Sequence, residues 1–208
     1  MLQQLYDAII KGSAKEAENL VAAALEAGIS AQDILEQGML KAMEEIGEKF
    51  KNNDIFIPEV LVAARAMNKA TDKLKPALLS AGIKPKGKAV CCTVKGDIHD
   101  IGKNIVKLML EGQGVEVVDL GVDVPAAKIV DAVKSSGAQV VCLSCLLTTT
   151  MMAQKEVIDA FKAAGIRDKV KILIGGAPIT AEFAASIGAD GFAPDAARAA
   201  TMVRGFLE

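Results

Sequence analysis

The sequence is poor in the residues that most often announce a function. It has no tryptophan, one tyrosine and a single histidine in 208 residues. With so few aromatic side chains there are no stacking platforms for single-stranded nucleic acid. Lysine and arginine total 24 against 26 aspartates and glutamates, with no long run of either sign. The basic face or stripe that a nucleic-acid backbone requires is therefore missing. No stretch approaches the roughly 18 uninterrupted apolar residues of a membrane-spanning helix. The opening "MLQQLYDAIIKGS" lacks the basic start and long apolar core of a secretory signal. These absences predict a soluble, cytoplasmic protein with neither nucleic acid nor membrane among its partners.

Cysteine is scarce as well: Cys91, Cys92, Cys142 and Cys145 are the only four. Cys142 and Cys145 match C-x-x-C, a spacing used by metal knuckles and redox sites. They lie in "AQVVCLSCLL", which reads as a strand, and a spacing of three sends two strand side chains to opposite faces. Both are read as buried structural thiols, and four unpaired thiols suit a reducing compartment.

What is present falls into two halves joined by "GIKPKGK", residues 82–88, a Gly/Pro/Lys linker. Residues 1–81 read as helix throughout. Ser13 with Glu16 forms a capping-box pattern and Gly28 ends the helix that follows. A further helix starts at Ser30 with Ile34, Leu35, Met39, Ala42, Met43 and Ile46 on one face, and Pro58 suits the first turn of the last. With "LQQLYDAIIK" in front, this is a small four-helix bundle.

Residues 89–208 alternate short apolar runs with helices. The strands read "KAVCCTV", "VEVVDL", "AQVVCLS", "KVKILIG" and a weak "ADGFA", with helices near 102–113, 125–136, 149–164, 179–187 and 195–207. Near-continuous apolar strands separated by helices imply a parallel sheet covered on both faces. The predicted fold is α/β: a four-helix cap followed by a flavodoxin-like, Rossmann-like five-stranded parallel sheet of order 2-1-3-4-5.

That order opens a crevice at the carboxyl ends of strands 1 and 3. The loop after strand 1 is "KGDIHDIG", strand 3 runs into "SCLLTTT", and strand 4 ends in "GGAP". The lone histidine, a Ser/Thr cluster and a diglycine thus converge from three separate places. Familiar sites do not fit there. G-x-x-x-x-G-K-S/T and G-x-G-x-x-G are absent, and Ser144 lacks a nucleophile-elbow context. A phosphoacceptor aspartate at the end of strand 3 is replaced by Ser144 and Cys145. One histidine between Asp97 and Asp100 makes a poor zinc site, since zinc takes three or four ligands. What remains is an imidazole offered singly to a group that brings its own metal, with the other ring nitrogen held by an acceptor such as Asp97.

"DIHDIG" (Asp97 to Gly102), "SCLLT" (Ser144 to Thr148) and "GGAP" (Gly175 to Pro178) resemble the D-x-H-x-x-G … S-x-L … G-G signature of cobalamin-binding domains, such as those of methionine synthase and methylmalonyl-CoA mutase. The helical half, running into "EKFKNNDIFIPEVLVAARAM", is similar to the bundle that caps the corrin in methyltransferases and that mutase domains lack. The resemblance therefore covers nearly the whole chain and is closest to the stand-alone corrinoid carrier proteins of anaerobic one-carbon metabolism.

The resemblance implies a cobalamin or related corrinoid with His99 as axial ligand to its cobalt. Asp97 would hydrogen-bond His99, and Thr150 would complete the relay where methionine synthase has serine. Gly96, Asp100, Ile101 and Leu146 would lie in the cofactor-binding loops. Ser144 and Thr148 would bond the buried nucleotide tail, with Gly102, Gly175 and Gly176 making room for it. Phe56 would shield the upper corrin face, with Val60, Ala63, Ala64 and Met67 as further cap residues or simple bundle core. The implied function is to carry a methyl group on cobalt between a substrate-specific methyltransferase and a second one acting on tetrahydrofolate or coenzyme M. A reductive activase would be a third partner, and the linker would let the cap move aside. A cobalamin-binding sensor or storage protein without methyl transfer is the alternative. A sensor normally adds an output domain, whereas this chain opens in the bundle and closes after the last sheet helix.

Overall fold

A computed structural model describes all 208 residues. The chain divides into two compact units, residues 1–85 with 111–114, and residues 86–110 with 115–208.

The first unit is helical. Helix α1 (Leu2–Ile10) and α2 (Ala14–Glu26) precede a continuous run in which α3 (Ala31–Asp33) passes through a π-helical segment, Ile34–Leu40, into α4 (Lys41–Lys51); α5 spans Ile57–Ser80. The expected four helical rods are present, with the π segment as an addition that apolar spacing cannot reveal. Its Gly38 lies so close to α1 that a Cβ there would come within 2.9 Å of Leu5 Cδ2. The interior is built from Leu5, Ile9, Val21, Ile34, Met39, Ile46 and Leu74, interleaved with alanines.

Caps divide cleanly between pattern and geometry. Ser30, with extended backbone, accepts from Asp33 N at 3.0 Å. Ser13 makes no such bond, so its capping-box pattern is not realised; its ψ of 73° differs from the 144° of Ser30 and misaims the hydroxyl. At α5 the carboxylate of Glu59 accepts from Phe56 N at 3.1 Å, and Pro58 sits in the first turn as expected. A second proline, Pro76, lies within α5.

The second unit is a five-stranded parallel sheet in the order β2-β1-β3-β4-β5, as predicted. Its strands are β1 (Gly87–Thr93), β2 (Val115–Asp119), β3 (Val140–Ser144), β4 (Lys171–Gly175) and a two-residue β5 (Gly191–Phe192). The helices are α6 (Ile101–Glu111), α7 (Ala126–Ser136), α8 (Met151–Ala163), α9 (Ala181–Ile187) and α10 (Ala196–Leu207). One face of the sheet packs Val90, Cys92, Val141, Leu143, Ile172 and Ile174 against Ile129, Val133, Val157, Ile158 and Phe161. α10 packs on β3 and β4, with Leu207 closing over Gly87.

Register brings the carboxyl ends together: Thr93 of β1 lies opposite Ser144 of β3, which lies opposite Gly175 of β4. This is where the strand order reverses, and so where such a sheet opens a crevice. All four cysteines are buried and free. Cys142 sits opposite Cys91 in the ladder, while Cys145 joins the other face, the parity expected of the C-x-x-C spacing. No helix is long and apolar enough to cross a membrane.

Candidate ligand-presenting site at the sheet crest

Asp97 organises this crest. Its side chain is fully buried, yet every acceptor position is used. Oδ1 accepts from His99 N at 3.0 Å and from His99 Nδ1 at 2.8 Å. Oδ2 accepts from the backbone N–H groups of Leu146 (2.7 Å) and Leu147 (3.2 Å) and from the Thr150 hydroxyl (2.9 Å). Burial by itself raises the pKa of a carboxyl. Here the hydrogen bonds from Leu146, His99 and Thr150 outweigh it and hold Asp97 well below the usual carboxylate range.

An ionised carboxylate can only accept, so the proton of the neutral imidazole sits on Nδ1 and Nε2 presents its lone pair. The His99 side chain is 46% exposed, and Nε2 has no partner within the protein. The backbone below it is fixed by the buried Thr93 hydroxyl, which donates to His99 O at 2.8 Å. Nowhere in the chain do three His, Cys, Asp or Glu side chains gather to hold an ion. A metal at His99 must bring its other ligands with it.

Around the imidazole the surface is apolar and open. Ile98 is 74% exposed, and Ile101, Leu146 and Leu147 are exposed too. Gly102 lies in the first turn of α6. A Cβ there would meet no protein atom, so the space it leaves is not filled by the chain itself. The hydroxyls of Ser144 and Thr148 make no hydrogen bond within the protein, Ser144 half-buried and Thr148 exposed. Aliphatic rim, open space and free donors suit a large apolar-edged macrocycle with a polar tail.

The other predicted residues are placed as follows in the fold. Gly96 adopts φ +84° at the turn that starts the loop. Asp100 is exposed; its backbone O accepts from Asn104 N at 2.8 Å and its carboxylate accepts from Asn104 Nδ2 at 3.0 Å. Gly175 ends β4; Gly176, at φ +130°, is obligatory because a Cβ would fall 1.6 Å from Cys145 O. In the helical unit Phe56 is exposed, whereas Val60, Ala63, Ala64 and Met67 are buried.

Residues missed in the sequence hold the site from behind. Asp123, itself at φ +52°, accepts from Gly96 N at 2.7 Å through Oδ1 and donates its own N–H to Asp97 O at 2.9 Å. The buried Gln154 amide donates to Leu143 O and Gly175 O, both at 3.2 Å, tying the ends of β3 and β4. Lys103, buried in α6, pairs with Asp119 at 2.8 and 2.9 Å. No local motif marks these residues, since each partner comes from elsewhere in the chain.

Comparison with known proteins adds the lineage. A B12 binding domain model matches residues 87–201 and a second, also described as a B12 binding domain, matches residues 1–75. Trimethylamine corrinoid protein 1 of Methanosarcina acetivorans is 41% identical over 203 residues, covering 97% of this chain and 94% of that one. The dimethylamine corrinoid protein of Methanosarcina barkeri is 39% identical and spans 100% of this chain and 97% of its own. Among solved structures, the methanol:cobalamin methyltransferase complex of Methanosarcina barkeri contains a chain with a TM-score of 0.90 at 32% identity, covering 99% of this chain and 79% of that one. A cobalamin-binding protein from Desulfitobacterium hafniense gives 0.81 at 34% identity, covering 99% and 98%.

Proposed function

The chain belongs to the B12-binding corrinoid proteins, and from that premise we propose that it carries a methyl group between two methyltransferases, with a methylamine as donor class. It binds a corrinoid in its α/β unit. The first partner is a substrate:corrinoid methyltransferase; the second passes the methyl group to coenzyme M or tetrahydrofolate, and a reductive activase serves the pair. The donor class is supported by relatives named for trimethylamine and dimethylamine at about two-fifths identity over nearly the full chain.

When bound, the corrinoid supplies a cobalt atom that accepts and releases the methyl group. The protein's own residues do the rest. His99 would hold the cobalt through Nε2, and Asp97 fixes the ring's tautomer and orientation through Nδ1. Thr150 and the Leu146 and Leu147 amides hold Asp97 ionised, so the imidazole stays strongly polarised toward its metal side. Gly102 and the exposed Ile98, Ile101 and Leu146 would accept the ring, while Ser144 and Thr148 would provide hydroxyls for the tail.

One observation carries this reading: a half-exposed imidazole whose inner nitrogen is locked by a fully buried carboxylate. The test is the ultraviolet–visible spectrum of the protein loaded with hydroxocobalamin, beside His99→Ala. The expected result is a histidine-ligated spectrum in the wild type that the variant loses while still retaining corrinoid. A wild type that retains no corrinoid, or a variant with the same spectrum, overturns the assignment.

A further inference from the structure

The Thr150 hydroxyl has a second acceptor within reach besides Asp97. It has one proton and lies 2.9 Å from two acceptors, Asp97 Oδ2 and Leu147 O. Donation to the first completes the relay behind His99; donation to the second breaks it. Leu147 O already accepts from Thr150 N at 3.1 Å. A carbonyl oxygen has two lone pairs, so one site on it stays open to the hydroxyl unless another donor takes it.

Cys145 is that donor in position. Its Sγ lies 3.2 Å from Leu147 O and 3.2 Å from Thr150 Oγ1, and the residue is fully buried. The position is held tightly, because Cys145 N donates to Gly175 O at 3.2 Å and the turn at Gly176 presses on the Cys145 carbonyl.

We infer that Cys145 is a positioning residue of the cofactor site: its S–H occupies the second lone pair of Leu147 O, removes the competing acceptor, and so reinforces the donation of the Thr150 hydroxyl to Asp97. The relay behind the axial ligand then has four members, Cys145, Thr150, Asp97 and His99. Its use rests on the carrier reading above; its geometry does not. Were the thiol to donate to Thr150 Oγ1 instead, the hydroxyl would still be left to donate, and the ionised carboxylate is the stronger of its two acceptors. The thiol stays protonated, and hence a donor, because burial pushes it up. The apparently inert half of the C-x-x-C pair therefore has a task that neither redox nor metal chemistry requires.

The test uses the full-length protein, first without corrinoid. The S–H stretching band of Cys145, isolated as the difference between wild type and Cys145→Ser, is expected at the lowered frequency of a hydrogen-bonded thiol. His99 is the only histidine, so its ring ¹⁵N signals are assigned without ambiguity. Cys145→Ala is expected to shift the Nδ1 signal in the direction that Thr150→Val shifts it, by less, and Cys145→Ser to restore it. A band at the free-thiol frequency, or an unmoved Nδ1 signal in Cys145→Ala, overturns the inference. So does a Cys145→Ser signal that follows Cys145→Ala, since lost volume alone then explains both. The same variants loaded with hydroxocobalamin separate the two readings. Wild type without bound corrinoid sinks the carrier assignment while the unloaded spectra decide the hydrogen bond. Bound corrinoid with unmoved unloaded spectra sinks the role of Cys145 alone.

Discussion

The two units of this protein bury different things. In the helical unit every buried side chain is apolar, and many are alanine; all five buried polar or charged residues, Thr93, Asp97, Lys103, Thr150 and Gln154, belong to the α/β unit. Burying a polar group without a partner costs about 1–3 kcal/mol, so a fold that wanted only stability would be built like the bundle. The α/β unit instead accepts a buried carboxylate and a buried ammonium and matches each with partners. Thr93, Asp97, Thr150 and Gln154 all lie at the carboxyl end of the sheet or just beyond it. The difference separates a packing problem from a positioning problem: one unit is held by volume, the other by hydrogen-bond direction.

The sharpest way to break that contrast is at Gly176. Gly176→Ala places a Cβ inside the Cys145 carbonyl at a φ that L residues avoid, and is expected to cost at least about 3 kcal/mol. Urea unfolding measures the loss; a variant as stable as wild type would show that the crest is not direction-limited.

In the bundle, volume should decide instead. Leu74 is fully buried, so Leu74→Ala is expected to cost about 2–5 kcal/mol and Leu74→Met less than about 1.5. Equal losses for the two substitutions, read from the same urea curves, would contradict a packing-limited interior.

A pH series isolates Asp97. Its folded pKa is depressed, so its contribution is fully present above the unfolded aspartate value of about 3.9 and is lost as pH falls below it toward the folded pKa. Wild type should therefore lose stability more steeply than Asp97→Asn as pH falls below about 4, as followed by the urea midpoint. Parallel curves would mean the carboxylate is not held ionised by the fold.

The smallest predicted effect lies at the helix starts. Ser30→Ala should cost about 1 kcal/mol, the usual worth of a realised N-cap, and Ser13→Ala close to none. Thermal unfolding of the two variants side by side would expose an error in either.

Legibility in the sequence followed the range of each interaction. The strands of the α/β unit were readable because a strand covered on both faces is apolar along its length, and right-handed crossovers leave few strand orders to choose from. The pairing of Asp97 with His99 was readable because they stand two positions apart. In the same loop, the Asp100 carboxylate accepts from Asn104 of helix α6, four positions on. Ser13 was misleading because a capping pattern fixes residue types but not ψ. Asp123, Gln154 and Cys145 passed unnoticed as site residues, since a lone aspartate, a glutamine on a helix or a cysteine in an apolar run has no local signature.

From the sequence alone came the element types and their order, the parallel sheet with its crest, and the single imidazole beside a carboxylate. All of these depend on periodicity, apolar runs and neighbours a few residues apart. Only the tertiary structure decided what makes that imidazole a directed ligand: the carboxylate of Asp97 closed by donors 49 and 53 residues away at Leu146 and Thr150. It also decided which acceptors the Thr150 hydroxyl reaches and that Gly176 admits no side chain. Those outcomes depend on distances of a few tenths of an ångström between segments remote in the chain, which packing sets and local pattern does not.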